Sequence, residues 1–241
     1  MAKSPKAYSN QDFLNSKDAR ELRILAEYLE PRTRLEKLGV EDTVVFFGSA
    51  RINPGSVWYE AARELAHRLT NWSKQLETKD RRFVVCTGGG PGIMEAANRG
   101  ASEAKGINVG LAISLPREES INPYVTRELA FHFHYFFMRK FWLAYMAKAV
   151  IVFPGGFGTL DEMFEILTLV QTGKMTKKMP VILFGKEYWG SVINFESLVK
   201  HATISERDLE LFHATDSVDD AYEWVVRQLT EHALGQPGAV L

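Results

Sequence analysis

A chain of 241 residues, 46% hydrophobic and 24% charged, has the makeup of one α/β-sized globular domain with a full core. Its formal net charge of −1 argues against a nucleic-acid or polyanion partner. The single cysteine, Cys86, excludes a disulfide framework and a cysteine-rich metal site.

The chain opens Met-Ala-Lys-Ser-Pro-Lys, without the apolar stretch of a signal peptide. No run approaches the roughly 20 apolar residues that a membrane span needs. The expectation is a cytoplasmic protein without a membrane partner. Residues 1–16 are polar. Over residues 19–38, Leu22, Leu25, Leu29, Leu35 and Leu38 are interspersed with charge, which predicts an amphipathic helix broken near Pro31. It reads as a packing or oligomer element.

Strands and helices then alternate. Strands are predicted at residues 43–47, 83–86, 107–113, 149–153, 181–184 and 211–213. Helices are predicted at 57–76, 93–105, 133–148, 160–172, 189–199 and 218–234. Such alternation implies a parallel sheet with helices on both faces. Ligands of such sheets bind beyond the carboxyl ends of the strands, at the switch in strand order, so the turns after strands carry the interest.

Three of those turns stand out. The first reads Gly48-Ser49-Ala50-Arg51 and the second Thr87-Gly88-Gly89-Gly90-Pro91-Gly92-Ile93-Met94. The third reads Pro154-Gly155-Gly156-Phe157-Gly158-Thr159 and leads into Leu160-Asp161-Glu162. Glycine lets a backbone approach a ligand closely, and a helix start offers unpaired N–H groups to a phosphate. Three such turns on one sheet edge predict a nucleotide or sugar-phosphate pocket. None ends in the Gly-Lys-Ser/Thr of a kinase-type phosphate loop, and none has the spacing of a dinucleotide fingerprint. Asp161 and Glu162 are expected in the first turn of the helix that follows. Carboxylates occur there for dipole reasons alone, or one is set beside a bound phosphate ester to act on its sugar.

The segment 131–146 is aromatic and apolar apart from Arg139, Lys140 and two histidines. A cation in such a setting needs an anion, either a structural ion-pair partner or a substrate phosphate or carboxylate. The segment feeds the strand that ends at Pro154, which makes Arg139, and with it Lys140, candidate substrate ligands. His132 and His134, two apart and facing opposite ways if helical, do not form a ready metal pair. Cys86, inside an apolar run, reads as a buried strand thiol.

With these residues in view, the chain resembles the LOG ("lonely guy") family of phosphoribohydrolases, once labelled lysine decarboxylases. The family signature P-G-G-x-G-T-x-x-E is matched throughout by residues 154–162, and its Arg-Lys pair by Arg139-Lys140. The G-G-G-x-G-x-M turn is matched by residues 88–94 and the first-strand Gly-Ser by Gly48-Ser49. The resemblance covers residues 43–185, and the added N-terminus looks like that of the longer bacterial members.

The resemblance implies a modified Rossmann fold over residues 41–234, with a helical extension at 1–40 and a tail at 235–241. It implies a homodimer or higher homo-oligomer with no cofactor and no metal. The implied reaction is hydrolysis of the N-glycosidic bond of a nucleoside 5′-monophosphate, AMP or an N6-substituted AMP such as a cytokinin riboside monophosphate. The products are the free base and ribose 5-phosphate. Arg139 and Glu162 correspond to the catalytic pair, and Gly155, Gly156, Gly158 and Thr159 to the phosphate cradle. Gly48, Ser49, Gly89, Gly90 and Met94 are expected around base and ribose, with Lys140 as a further substrate contact.

A carboxylate suits the chemistry, because breaking the C1′–N bond builds oxocarbenium-like charge on the sugar. Glu162 can stabilise that charge, activate water or attack C1′ itself, and the sequence leaves these open. Pyridoxal phosphate chemistry would need a Schiff-base lysine, and none can be nominated. The alternative is a non-catalytic carrier on the same fold, holding a nucleotide or a phosphorylated cofactor such as molybdenum cofactor. It would keep the glycines and Arg139 but have no need of Glu162.

Overall fold

The computed structural model of the chain describes residues 4–114 and 121–238. Residues 1–3 of the expected extension and 239–241 of the expected tail lie outside the described residues.

Among the described residues seven parallel strands form one sheet. They are β1 (Thr43–Phe47), β2 (Val84–Thr87), β3 (Val109–Ile113), β4 (Ala130–Phe133), β5 (Ala147–Val152), β6 (Val181–Phe184) and β7 (His213–Thr215). Their order is β4-β3-β2-β1-β5-β6-β7, so the chain builds outward one way from β1, then crosses back to β5 and builds the other way. The near-continuous apolar runs belong to strands buried on both faces. Val44 and Phe46 of β1 join one core with α3 (Val57–Lys74), α4 (Ile93–Glu103) and α9 (Val218–His232). Val45 and Phe47 join the opposite core with α2 (Arg20–Lys37), α5 (Phe136–Met146) and α6 (Phe157–Gln171). This is the expected α/β architecture. A short α1 (Gln11–Asn15) precedes α2.

Several expected boundaries are corrected. The N-terminal helix is not broken at Pro31, for α2 runs through it. Proline removes one N–H and strands the carbonyl four residues back. That carbonyl belongs to Glu27, and it accepts a hydrogen bond from Trp142 Nε1 at 3.0 Å. The Glu27 carboxylate accepts from the backbone N–H groups of His134 at 2.7 Å and Tyr135 at 3.1 Å, so it holds the start of α5.

The helix expected over residues 133–148 is shorter, because its flanks belong to β4 and β5. Phe131 and Phe133 are buried while His132 is exposed, the period of two that marks a strand. His132 therefore lies on a strand and not on a helix. The helix expected over 189–199 is two, α7 (Lys186–Val192) and α8 (Phe195–Lys200). They are divided by Asn194, whose side chain accepts from Ser197 N at 2.8 Å and so restarts the helix. The last strand lies two residues later than expected, because residues 206–211 form a 3-10 helix opened by a Ser205–Asp208 capping box.

The helix after β5 also starts earlier than expected, at Phe157 with Gly156 as its cap residue. Gly158 and Thr159 thus lie in its first turn and not in a loop, while Asp161 and Glu162 lie in the second. The dipole reading of these two carboxylates as first-turn residues falls away.

Candidate active site

The strand order reverses between β1 and β5, and the turns after these strands meet there. Ser49 ties all three glycine turns through its backbone. Its N–H donates to Pro154 O at 3.0 Å, and its carbonyl accepts from Ile93 N at 3.1 Å. Gly92 has φ +69°, and a Cβ there would run into the Ser49 carbonyl and Ala50, so the close approach of the first two turns needs glycine.

The third turn meets α6 without a side-chain cap. By contrast Ser56 caps α3 and Ser217 caps α9. Among the described residues, the N–H groups of Gly155 and Gly156 donate to no backbone or side-chain acceptor. Of the first-turn amides of α6, Thr159 N donates to Gly156 O at 3.0 Å, while those of Phe157 and Gly158 have no partner among the described residues. Thr159 folds back over Gly155, where a Cβ would collide with its side chain. These amides and the positive end of the helix dipole make a site for an anionic group.

One helical turn further in, Glu162 is 6% exposed, and its Oε1 is buried with no hydrogen-bond partner among the described residues. Burial pushes its carboxyl from 4.5 up to about 7, against the pull of Arg139 and Lys140. Arg139 reaches across from α5. Its Nε donates to Leu111 O of β3 at 2.7 Å, and its Nη1 stands 3.7 Å from Glu162 Oε1, too far for a hydrogen bond. Burial lowers the pKa of the Arg139 guanidinium, and Glu162 counters it. A Cβ at Gly88 would strike Arg139 and Met94, so the glycine turn makes room for the guanidinium. Lys140 is spent differently: its Nζ lies 2.8 Å from Asp161 Oδ2 and 2.6 Å from Glu165 Oε2, with Glu162 at 3.9 Å. Burial works against the Lys140 charge, yet hydrogen bonds to Asp161 and Glu165 leave its pKa raised.

These groups face a cavity of about 680 Å³. It brings together Gly48, Ser49, Gly89, Gly90, Met94, Arg139, Gly155, Gly156, Gly158, Thr159 and Glu162. Lys140 is not on its wall; its charge is taken up by the carboxylates of α6. Sequence reasoning passed over four wall residues that carry chemistry or surface: Arg51, Phe136, Phe157 and Tyr188. Arg51 stood in the first glycine turn, and Phe157, 92% exposed, stood inside the third. Tyr188, on α7, had no local signal at all. Cys86 is buried in β2, where burial pushes its thiol up to about 12 and suppresses it as a nucleophile. Among the described residues no group of three His, Cys, Asp or Glu is placed to hold a metal ion, and no helix is long and apolar enough to cross a membrane.

A family model described as possible lysine decarboxylase matches residues 94–225. The chain belongs to this family, the LOG family. The LOG match takes in Met94, Arg139 and the third turn through Glu162, while Gly48, Ser49, Gly89 and Gly90 precede it. Cytokinin riboside 5′-monophosphate phosphoribohydrolase LOG2 of Arabidopsis thaliana is 32% identical over 160 residues, 63% of this chain and 66% of that protein. LOG7 of the same plant, also named a cytokinin riboside 5′-monophosphate phosphoribohydrolase, is 29% identical over 195 residues, 78% of this chain and 80% of its own. Among solved structures, the structural-genomics target TM1055 superposes with a TM-score of 0.54 at 24% identity, over 77% of this chain and 99% of its own. A molybdenum cofactor binding protein from the phototrophic bacterium Rippkaea orientalis superposes with a TM-score of 0.52 at 18% identity, over 78% of this chain and 98% of its own. At these identities the structural likeness establishes the fold.

Proposed function

We propose that the protein hydrolyses the N-glycosidic bond of a nucleoside 5′-monophosphate, AMP or an N6-substituted AMP, to free base and ribose 5-phosphate. One observation carries the reading: a buried carboxylate with an unpartnered oxygen shares a cavity with the free amides at the start of α6. The phosphate ester sits on the amides of residues 155–158, with Arg51 supplying positive charge from the first turn. Binding energy gained there holds C1′ against Glu162. As the C1′–N bond breaks, its electron pair leaves with the base, and positive charge grows on the ribose. The Glu162 carboxylate stabilises that charge. It either takes the proton of the water that attacks C1′ or attacks C1′ first and is displaced by water. In both routes water supplies the new hydroxyl and the departing base gains a proton. Arg139, 3.7 Å from Glu162, offsets the repulsion between carboxylate and phosphate. The two relatives named as cytokinin riboside 5′-monophosphate phosphoribohydrolases support this substrate class.

The test is to incubate the purified protein with AMP, GMP, CMP, IMP and N6-isopentenyl-AMP and to separate the products by chromatography. Free base should appear from at least the adenine nucleotides, and Glu162→Gln should lower kcat by about 10²–10⁴-fold. Base release at an undiminished rate from that variant would sink the assignment. The carrier reading draws on structural neighbours named as molybdenum cofactor binding and carrier proteins. It would be favoured by a nucleotide or phosphorylated cofactor recovered intact after long incubation. The apolar Leu22, Leu25 and Leu29, 41–49% exposed along α2, support a homo-oligomer, which light scattering checks.

A further inference from the structure

Tyr188 reaches the cavity from α7, the helix after β6, and it does one specific thing there. Its hydroxyl donates to the carbonyl oxygen of Gly155 at 2.8 Å. The ring is braced to deliver that bond. Trp58 meets it edge-on with centroids 5.9 Å apart, and Trp189 does the same at 5.1 Å. Trp189 is itself buried and donates from Nε1 to Phe184 O at 2.9 Å. The first backbone N–H of α7, that of Lys186, is anchored on Asp216 at 2.8 Å. The hydroxyl is therefore held in place by packing against the sheet end and not by the turn it contacts.

The Gly155–Gly156 peptide is the first link of the anion cradle. It is trans, so the Gly155 carbonyl and the Gly156 N–H point in opposite directions. Glycine on both sides makes a flip of this peptide plane sterically cheap, since neither residue carries a Cβ to oppose it. One orientation presents an N–H to an anion. The other presents a carbonyl oxygen, which repels it.

We propose that Tyr188 is a positioning residue for the phosphate ester: its hydroxyl locks the Gly155 carbonyl so that the Gly156 N–H is directed at the bound phosphate. The proposal rests on the reading of this cavity as a nucleoside monophosphate site, and it names the residue that makes the site prefer the phosphorylated over the bare nucleoside. Tyr188→Phe removes the lock and keeps the ring contacts with Trp58 and Trp189, so the melting temperature should stay within a few degrees of wild type.

The experiment measures AMP, ribose 5-phosphate and adenosine binding by calorimetry, with Tyr188→Phe placed on a Glu162→Gln background so that nucleotide is not consumed. Affinity for AMP and ribose 5-phosphate should fall about tenfold, the scale of one hydrogen bond to a charged group, while that for adenosine stays unchanged. In the active protein, Tyr188→Phe should raise KM for AMP by a similar factor and leave kcat within about twofold. Unchanged phosphate-ester affinity overturns the lock, as does an equal loss for adenosine, which would mean general disruption of the cavity. A wild-type protein that binds AMP but cleaves neither AMP nor N6-isopentenyl-AMP refutes the hydrolase reading and leaves the lock measurable by binding. A wild-type protein that binds neither phosphate ester overturns both.

Discussion

Glu162 Oε1 is buried without a hydrogen-bond partner, and that burial is also what lifts its carboxyl to about 7. A group poised there loses its charge just below neutrality, and the reaction needs the charge. The acid limb of kcat/KM for AMP should therefore have its midpoint near pH 7, set by the buried carboxylate. The second phosphate proton of the substrate titrates near 6, so a limb set by the substrate alone would lie about one unit lower. The same shift has a cost in stability whose sign is fixed. With its folded pKa raised above the ordinary 4.5, Glu162 binds more protons folded than unfolded between 4.5 and about 7, so stability drops as pH rises through that window. Glutamine does not titrate. The melting temperature of Glu162→Gln minus that of wild type should rise as pH goes from the lower to the upper limit, and a difference that stays flat or falls would show that the carboxyl is not perturbed. At this scale the motif was legible and the side-chain directions were not. Arg139 and Lys140 are sequence neighbours, but successive helical residues point about 100° apart. Arg139 turns to the cavity and Lys140 to Asp161 and Glu165, a division that depends on how α5 is rotated against α6.

The element most misjudged from sequence is α2, where a proline in mid-helix is the ordinary sign of a break. Its continuity is explained by a partner 111 residues further along the chain from Pro31, for Trp142 Nε1 takes up the Glu27 carbonyl that Pro31 leaves free. No local pattern could reveal that pairing. The apolar runs 44–47 of β1, 149–152 of β5 and 181–184 of β6 were legible because burial on both faces keeps those stretches free of polar residues. The short β4 was hidden because its alternation abuts α5, which is apolar and aromatic apart from Arg139 and Lys140. The carbonyl pairing makes a double-mutant test. Trp142→Phe keeps an aromatic ring in place but orphans the Glu27 carbonyl, which should cost about 1–3 kcal/mol in urea unfolding. Pro31→Ala restores the helical N–H, so in that background the cost of Trp142→Phe should shrink by at least about 0.5 kcal/mol. Strictly additive losses would mean that the carbonyl is indifferent to its partner.

Across the whole molecule the two edges of the sheet are given different work. The carboxyl edge gathers the three glycine turns at the switch between β1 and β5, and the order of strands that creates this switch is a non-local pairing that no single segment encodes. The amino edge is a lock on the end of the chain. Just before β1 and β2, Asp42 and Arg82 form a buried pair at 2.7 Å, and Arg82 also donates to Leu234 O at 2.9 Å and Ala233 O at 2.7 Å. Lys148, buried at the start of β5, donates to Gln236 O at 2.8 Å. The carboxylate of Asp42 further accepts from Phe83 N at 2.7 Å, so charge and strand start are joined in one residue. Asp42→Asn keeps the shape and an acceptor but leaves the Arg82 cation without its counter-charge in a buried site. Breaking such a pair should cost about 3 kcal/mol or more, read as a lower urea midpoint at unchanged slope. Because the lock sits at the edge opposite the cavity, kcat and KM measured well below the melting temperature should match wild type. A variant that loses activity while keeping its stability would show that the two edges are coupled through the sheet, against the separation of stability from chemistry argued for this fold.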